Sequence, residues 1–119
     1  MTKTKDKEPS SDGQKTSDSA RFDLLPPDAL WLLAEHYGKA GGPPEGPPKY
    51  EERNWEKGYA WSLSFAALMR HAWAWWYGED VDPETKSRHM VAAAWHCLNL
   101  TAMQYRNIGT DDRSKGTRP

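Results

Sequence analysis

The sequence predicts an all-α protein, a small helical bundle built on an antiparallel helical hairpin with disordered N- and C-terminal tails. Three observations carry that prediction. No stretch alternates polar and apolar residues with period two over a useful length, which removes the half-buried strand. Two long segments, about 62–77 and 82–106, place apolar residues at helical spacing. Only a short acidic connector beginning Gly78-Glu79-Asp80-Val81 separates them, and so short a link makes neighbouring helices antiparallel.

Residues 1–20 hold many Ser, Thr and charged side chains and only Met1 and Ala20 as apolar ones, too little to offset the entropy of ordering. They form the first tail, residues 110–119 the second, and 21–109 the domain. Pro26 and Pro27 suit a helix start, Asp28 adds negative charge to the first turn, and Gly38 closes a helix over about 27–37. KAGGPPEGPP (Lys39–Pro48) supports neither helix nor central strand and reads as an exposed loop. KYEERNWEKG (Lys49–Gly58) is amphipathic, enough for one or two helical turns. Ser62 is the expected N-cap of the first long helix, with Gly78 ending it. Asp82 followed by Pro83 marks the start of the last helix, and Asn107 and Gly109 mark its stop.

Composition excludes several classes of function. Sixteen basic against 17 acidic residues leave a net charge of −1, with no broad field to attract nucleic acid or anionic membrane. The single Cys97 rules out a disulfide framework and fits a reducing, cytoplasmic compartment. No apolar run approaches the roughly 18 residues of a membrane span, and the N-terminus lacks the apolar core of a signal peptide. All seven tryptophans fall between Trp31 and Trp95, and they are expected mainly in the core. Trp73, Trp75 and Trp76 wrap too far around one helix for all to face its partner. Either the first helix or another subunit covers the remainder, and a homodimer is the favoured homo-oligomer.

Closing the hairpin near position 80 pairs residues whose numbers sum to about 160. His71 then faces His89, and Ser64 faces His96. His89, Ala93, His96 and Leu100 share one face of the last helix, while Ala92 and Ala93 let a neighbour approach closely. The acidic connector Glu79, Asp80, Asp82, Glu84 stands at the open end, and carboxylates with imidazoles are the usual ligands of a divalent metal. Each residue also has a plainer reading: a histidine between helices serves as a hydrogen-bonded core residue, and Asp82 and Glu84 suit a helix N-terminus. No HExxH or CxxC is present. His36, at the end of the first helix, reads as a surface residue or one that complements the helix dipole at its C-terminus. Lys49, Arg53, Asn54, Trp55 and Lys57, with Arg70 and Arg88, suit phosphates on cations and a base stacked on a ring, or else a solvated basic face with Trp55 in the core. The proline-rich loop lacks the N–H groups of a phosphate cradle. Cys97 directly follows His96, so the two point about 100° apart on a helix and form no nucleophile pair; Cys97 reads as packing.

Four blocks, ARFDLLPPDAL (Ala20–Leu30), KYEERNWEKG (Lys49–Gly58), LMRHAWAWWYGEDVDPET (Leu68–Thr85) and HMVAAAWH (His89–His96), together resemble a phage-associated family. It is usually labelled the dATP/dGTP diphosphohydrolase N-terminal domain. The resemblance covers about residues 20–107. It implies cleavage of a purine deoxynucleoside triphosphate to monophosphate and pyrophosphate, and kinship with all-α, metal-dependent pyrophosphohydrolases similar to MazG. MazG-like enzymes carry Glu-x-x-Glu and Glu-x-x-Asp on successive helices, whereas here no carboxylate lies between Ser62 and Tyr77. With the hairpin geometry, the resemblance assigns His71, Glu79, Asp82 and His89 to a Mg2+ or Mn2+ ion. Asp80 or His96 takes the proton of the attacking water, and Lys49, Asn54, Trp55 and Arg70 hold triphosphate and base. The alternative expectation is a non-catalytic nucleotide-binding module or oligomeric scaffold of a phage protein.

Overall fold

Helices α1 (Pro27–Gly38), α2 (Trp61–Trp76) and α3 (His89–Arg106) make the protein all-α, with α2 and α3 packed as the expected hairpin. The computed structural model describes residues 3–7 and 13–119. Two compact units divide the chain, residues 1–30 and 31–119. In the first, strands β1 (Lys3–Lys7) and β2 (Gln14–Asp18) pair antiparallel in a register running from Lys3 opposite Asp18 to Lys7 opposite Gln14. This ribbon is the one regular feature of the expected first tail, of which residues 1–2 and 8–12 lie outside the described set; two strands alone are marginal in water. In the second tail, residues 110–119 are exposed throughout.

The hairpin register is the one that loop closure dictates. The buried residues of the two helices are Ser64 from α2 and His89, Ala92, Ala93, Trp95, Asn99 and Met103 from α3, all but Trp95 and Met103 small or polar. Small side chains let two helices approach closely, and the polar ones must then find partners within the interface. α1 reaches α3 by side chains: Tyr37 Oη donates to Asn99 Oδ1 at 2.7 Å, and the His36 ring meets the Trp95 ring edge-on.

The ends of α2 depart from expectation at one terminus only. Ser62 is the second helical residue, not the cap; its N–H and Oγ–H both go to the Asp112 carboxylate, a negative group at the helix N-terminus. The preceding Ala60 pairs with Thr110 in a parallel bridge. At the other end Gly78 takes φ +102, its N–H reaches Trp75 O and the Glu79 N–H reaches Ala74 O, a Schellman closure that fixes where Glu79 leaves the helix.

The Asp82-Pro83 pair does not start α3. Asp82 N–H bonds Ser87 O, Lys86 N–H bonds Asp82 O, and Lys86 turns left-handed at φ +64. Val81 bridges Arg88, so residues 81–88 close on themselves and α3 begins only at His89. The loop therefore folds back over the hairpin mouth.

Burial corrects three other expectations. Of the seven tryptophans only Trp95 is buried, while Trp73 and Trp76 are 52% and 71% exposed and are not covered by α1. α2 carries large apolar residues well beyond the face it turns to α3. Cys97 is exposed rather than packed. His36 is buried rather than on the surface. Among the described residues no helix is long and apolar enough to cross a membrane.

Candidate functional site

Four histidines converge along the hairpin. His71 of α2 and His89 of α3 face each other with their Nδ1 atoms 2.9 Å apart. Two turns further along α3, His96 stacks against His71 at 6.1 Å between ring centres. His96 Nδ1 lies 2.9 Å from Ser64 Oγ, which in turn lies 2.5 Å from Tyr59 Oη. His36 enters from α1 beside Trp95, which also meets the His96 ring at 4.8 Å.

Two carboxylates from the loop complete the mouth. Glu79 Oε1 lies 2.7 Å from His89 Nε2, so the imidazole N–H on that side goes to Glu79 and the Nδ1 lone pair turns toward His71. Asp82 is held by its own turn, with the Glu84 N–H donating to Oδ1 at 2.9 Å. One ligand atom each from His71, Asp82 and His89 falls within 4.8 Å of the others.

The surroundings favour the neutral form of His36, His71 and His96. Burial pushes His36 down to about 4, with the neighbouring His71 adding to it. Burial does the same for His96, also to about 4, with His71, His36, Arg70 and Lys49 contributing. Burial and then His89 lower His71 against the pull of Asp82. Burial works against the Asp82 carboxylate, yet the backbone N–H groups of Glu84 and Thr85, then His89 and His71, outweigh it and hold its pKa below the ordinary value. Neutral nitrogen lone pairs beside an ionised carboxylate are the donors a divalent cation needs. Two nitrogens 2.9 Å apart also match adjacent ligands of one ion at about 2.1 Å from each, so the residues present fit a metal.

A cleft of about 1120 Å³ opens over this cluster. It is lined by nine of the ten residues singled out from the sequence: Lys49, Asn54, Trp55, Arg70, His71, Glu79, Asp82, His89 and His96. Asp80 is not among the lining residues; its carbonyl accepts the His89 N–H at 3.0 Å instead. Glu79, expected as a metal ligand, engages the far nitrogen of His89 rather than joining the close trio. Among the described residues no carboxylate pairs with Lys49 or Arg70, whereas Arg53 and Arg106 both reach Glu56. Arg106 also lies 5.3 Å over the Trp55 ring.

Sequence reasoning did not anticipate His36, Tyr37 and Tyr59 in the cleft wall. Ser64 was legible as the position opposite His96. Nothing in the spacing of Tyr59 or Tyr37 marks them, because each reaches the cleft from outside the hairpin.

A family model described as dATP/dGTP diphosphohydrolase, N-terminal, matches residues 9–113, and the chain belongs to that family. No curated protein and no solved structure matches it.

Proposed function

We propose that this member of the dATP/dGTP diphosphohydrolase N-terminal family hydrolyses a purine deoxynucleoside triphosphate to its monophosphate and pyrophosphate. The observation that carries the reading is the meeting of two chemistries in one cleft: the close trio His71, Asp82, His89, and the cations Lys49 and Arg70, which no carboxylate pairs among the described residues. A divalent cation of the Mg2+ or Mn2+ kind, held by that trio, would supply Lewis acidity that polarises a phosphoryl oxygen and acidifies water.

The chain's own groups do the rest. Lys49 and Arg70 bind triphosphate oxygens by charge-assisted hydrogen bonds. Trp55 stacks on the base and Asn54 offers it an amide. Water adds to the α-phosphorus as the bond to the pyrophosphate oxygen breaks. With its Nδ1–H given to Ser64, His96 receives the water's proton at Nε2. Glu79 acts through His89, whose ring it orients.

The test is turnover by the purified protein with Mg2+ or Mn2+ over a panel of deoxynucleoside triphosphates, products resolved by anion-exchange chromatography. dATP and dGTP are expected to yield monophosphate and pyrophosphate, and His89→Ala and Asp82→Ala to lose that activity. No turnover, or turnover undiminished in both variants, overturns the reading.

One observation favours a second reading, a nucleotide-binding or scaffold module without catalysis: α2 contributes no carboxylate to the cleft. Calorimetry that finds dATP or dGTP binding, paired with a turnover assay that finds none, selects it. Either reading includes a second copy of the chain as partner, seated on the outer face of α2. An unpaired exposed Cys97 accords with a reducing cytoplasm, that of the host if the chain is phage-encoded.

A further inference from the structure

We propose that His71 Nδ1, His89 Nδ1 and an Asp82 carboxylate oxygen form a two-imidazole, one-carboxylate site that takes a first-row transition-metal dication and discriminates against Mg2+. The inference rests on the cation reading above and narrows it.

Donor chemistry is the first argument. Imidazole nitrogen suits the later first-row ions, and the affinity of a given site rises from manganese through cobalt toward zinc, whereas Mg2+ prefers oxygen ligands and gives up its water reluctantly. Mg2+ is held mainly through carboxylate oxygens and retained waters, and α2 supplies no carboxylate between Trp61 and Trp76. The helices contribute two nitrogens instead, and a single oxygen comes from the loop.

The second argument is that the nitrogens are prepared for metal. Glu79 accepts the Nε2–H of His89 at 2.7 Å, the carboxylate–histidine arrangement that fixes the tautomer and leaves Nδ1 as the donor. Two Nδ1 atoms at 2.9 Å are joined by one N–H, donated by His71 to the His89 lone pair, and a common cation can take that proton's place. Because His71 and His89 stand on rigid helices in matched register, this separation does not depend on a mobile loop. The loop supplies the third donor from a turn that backbone N–H groups hold in place. Three protein ligands leave further coordination positions open.

The experiment uses the full chain, stripped of metal by chelation, and reads binding rather than turnover. Mn2+, Co2+, Zn2+ and Mg2+ are titrated separately by thermal shift, and the Mn2+ complex is examined by pulsed electron paramagnetic resonance for coupling to 14N. Transition ions are expected to bind about 100-fold or more tightly than Mg2+, with nitrogen coupling present. His71→Gln and His89→Gln, checked for retained helicity, are expected to lose both. Mg2+ binding as tight as that of the transition ions, absence of 14N coupling, or binding unchanged in both variants overturns the proposal while leaving a cation site standing. If no cation binds at all, the broader cation reading falls with it.

Discussion

His89 Nε2 and Glu79 Oε1 lie 2.7 Å apart, yet Glu79 hangs off the end of α2 while His89 is the first residue of α3. The Schellman closure of α2 sends Glu79 across the gap, and the self-closing turn at residues 81–88 brings His89 to meet it. One side of the imidazole is therefore fixed by a carboxylate and the other offered to the cleft.

From that geometry, Glu79→Gln is expected to keep the helix end and the cleft but weaken the hold on the His89 ring. Outer-shell partners of metal-bound histidines typically change affinity by about 10–100-fold, and a loss in that range is expected for Mn2+ by calorimetry. Unchanged affinity would show that Glu79 plays no orienting part.

Ser64 is 1% exposed and sits between Tyr59 and His96. Ser64→Ala removes the middle of that relay and strands two polar groups in a buried interface, at a cost of about 1–3 kcal/mol. For a domain of this size each kcal/mol lowers Tm by about 4–8 °C, a shift that calorimetric scanning resolves. A variant as stable as the parent would mean that water replaces the hydroxyl freely.

How much of this was legible follows from what is local in sequence. The pairing of His71 with His89 and of Ser64 with His96 depends only on loop position and helical rise, and both appear as expected. The Asp82-Pro83 signal is ambiguous because the same residues open a helix or a turn. The left-handed Lys86 and the Val81–Arg88 bridge decide for the turn, and neither leaves a mark in composition. The burial of His36 is set by Trp95, far along the chain on another helix, so a reading of α1 alone leaves it at the surface. The exposed tryptophans have the converse cause: hydrophobicity shows that a face needs cover but not whether this chain provides it.

Stability should fall in mild acid. His36 and His96 titrate near 4 in the folded state against 6.5 unfolded, each pushed down by burial first and by His71 next. Between those limits the unfolded chain binds protons that the folded chain refuses, so the stability of the native state rises with pH through that window and levels off above 6.5. The measurement is Tm against pH from 4 to 7. His36→Asn is expected to flatten the slope by up to about one proton. A slope that stays the same in that variant assigns the acid sensitivity elsewhere.

The outer face of α2 carries the last prediction. Phe65, Met69, Trp73 and Trp76 recur at intervals of four, four and three residues, so they form one stripe on the helix. They are 56%, 37%, 52% and 71% exposed among the described residues. Ser64, His71 and Ala67 point the other way, into the cleft, which leaves the stripe free to meet a partner without closing the site. An antiparallel self-pairing of α2 across a two-fold axis would set each stripe against its copy, the isologous arrangement in which one patch serves both subunits. Light scattering after size exclusion is expected to report a dimer. Trp73→Glu, which buries a charge at the middle of that contact, is expected to yield a monomer with its helicity intact. A parent chain that runs as a monomer at high concentration, or a Trp73→Glu variant that remains dimeric, would move the interface off α2.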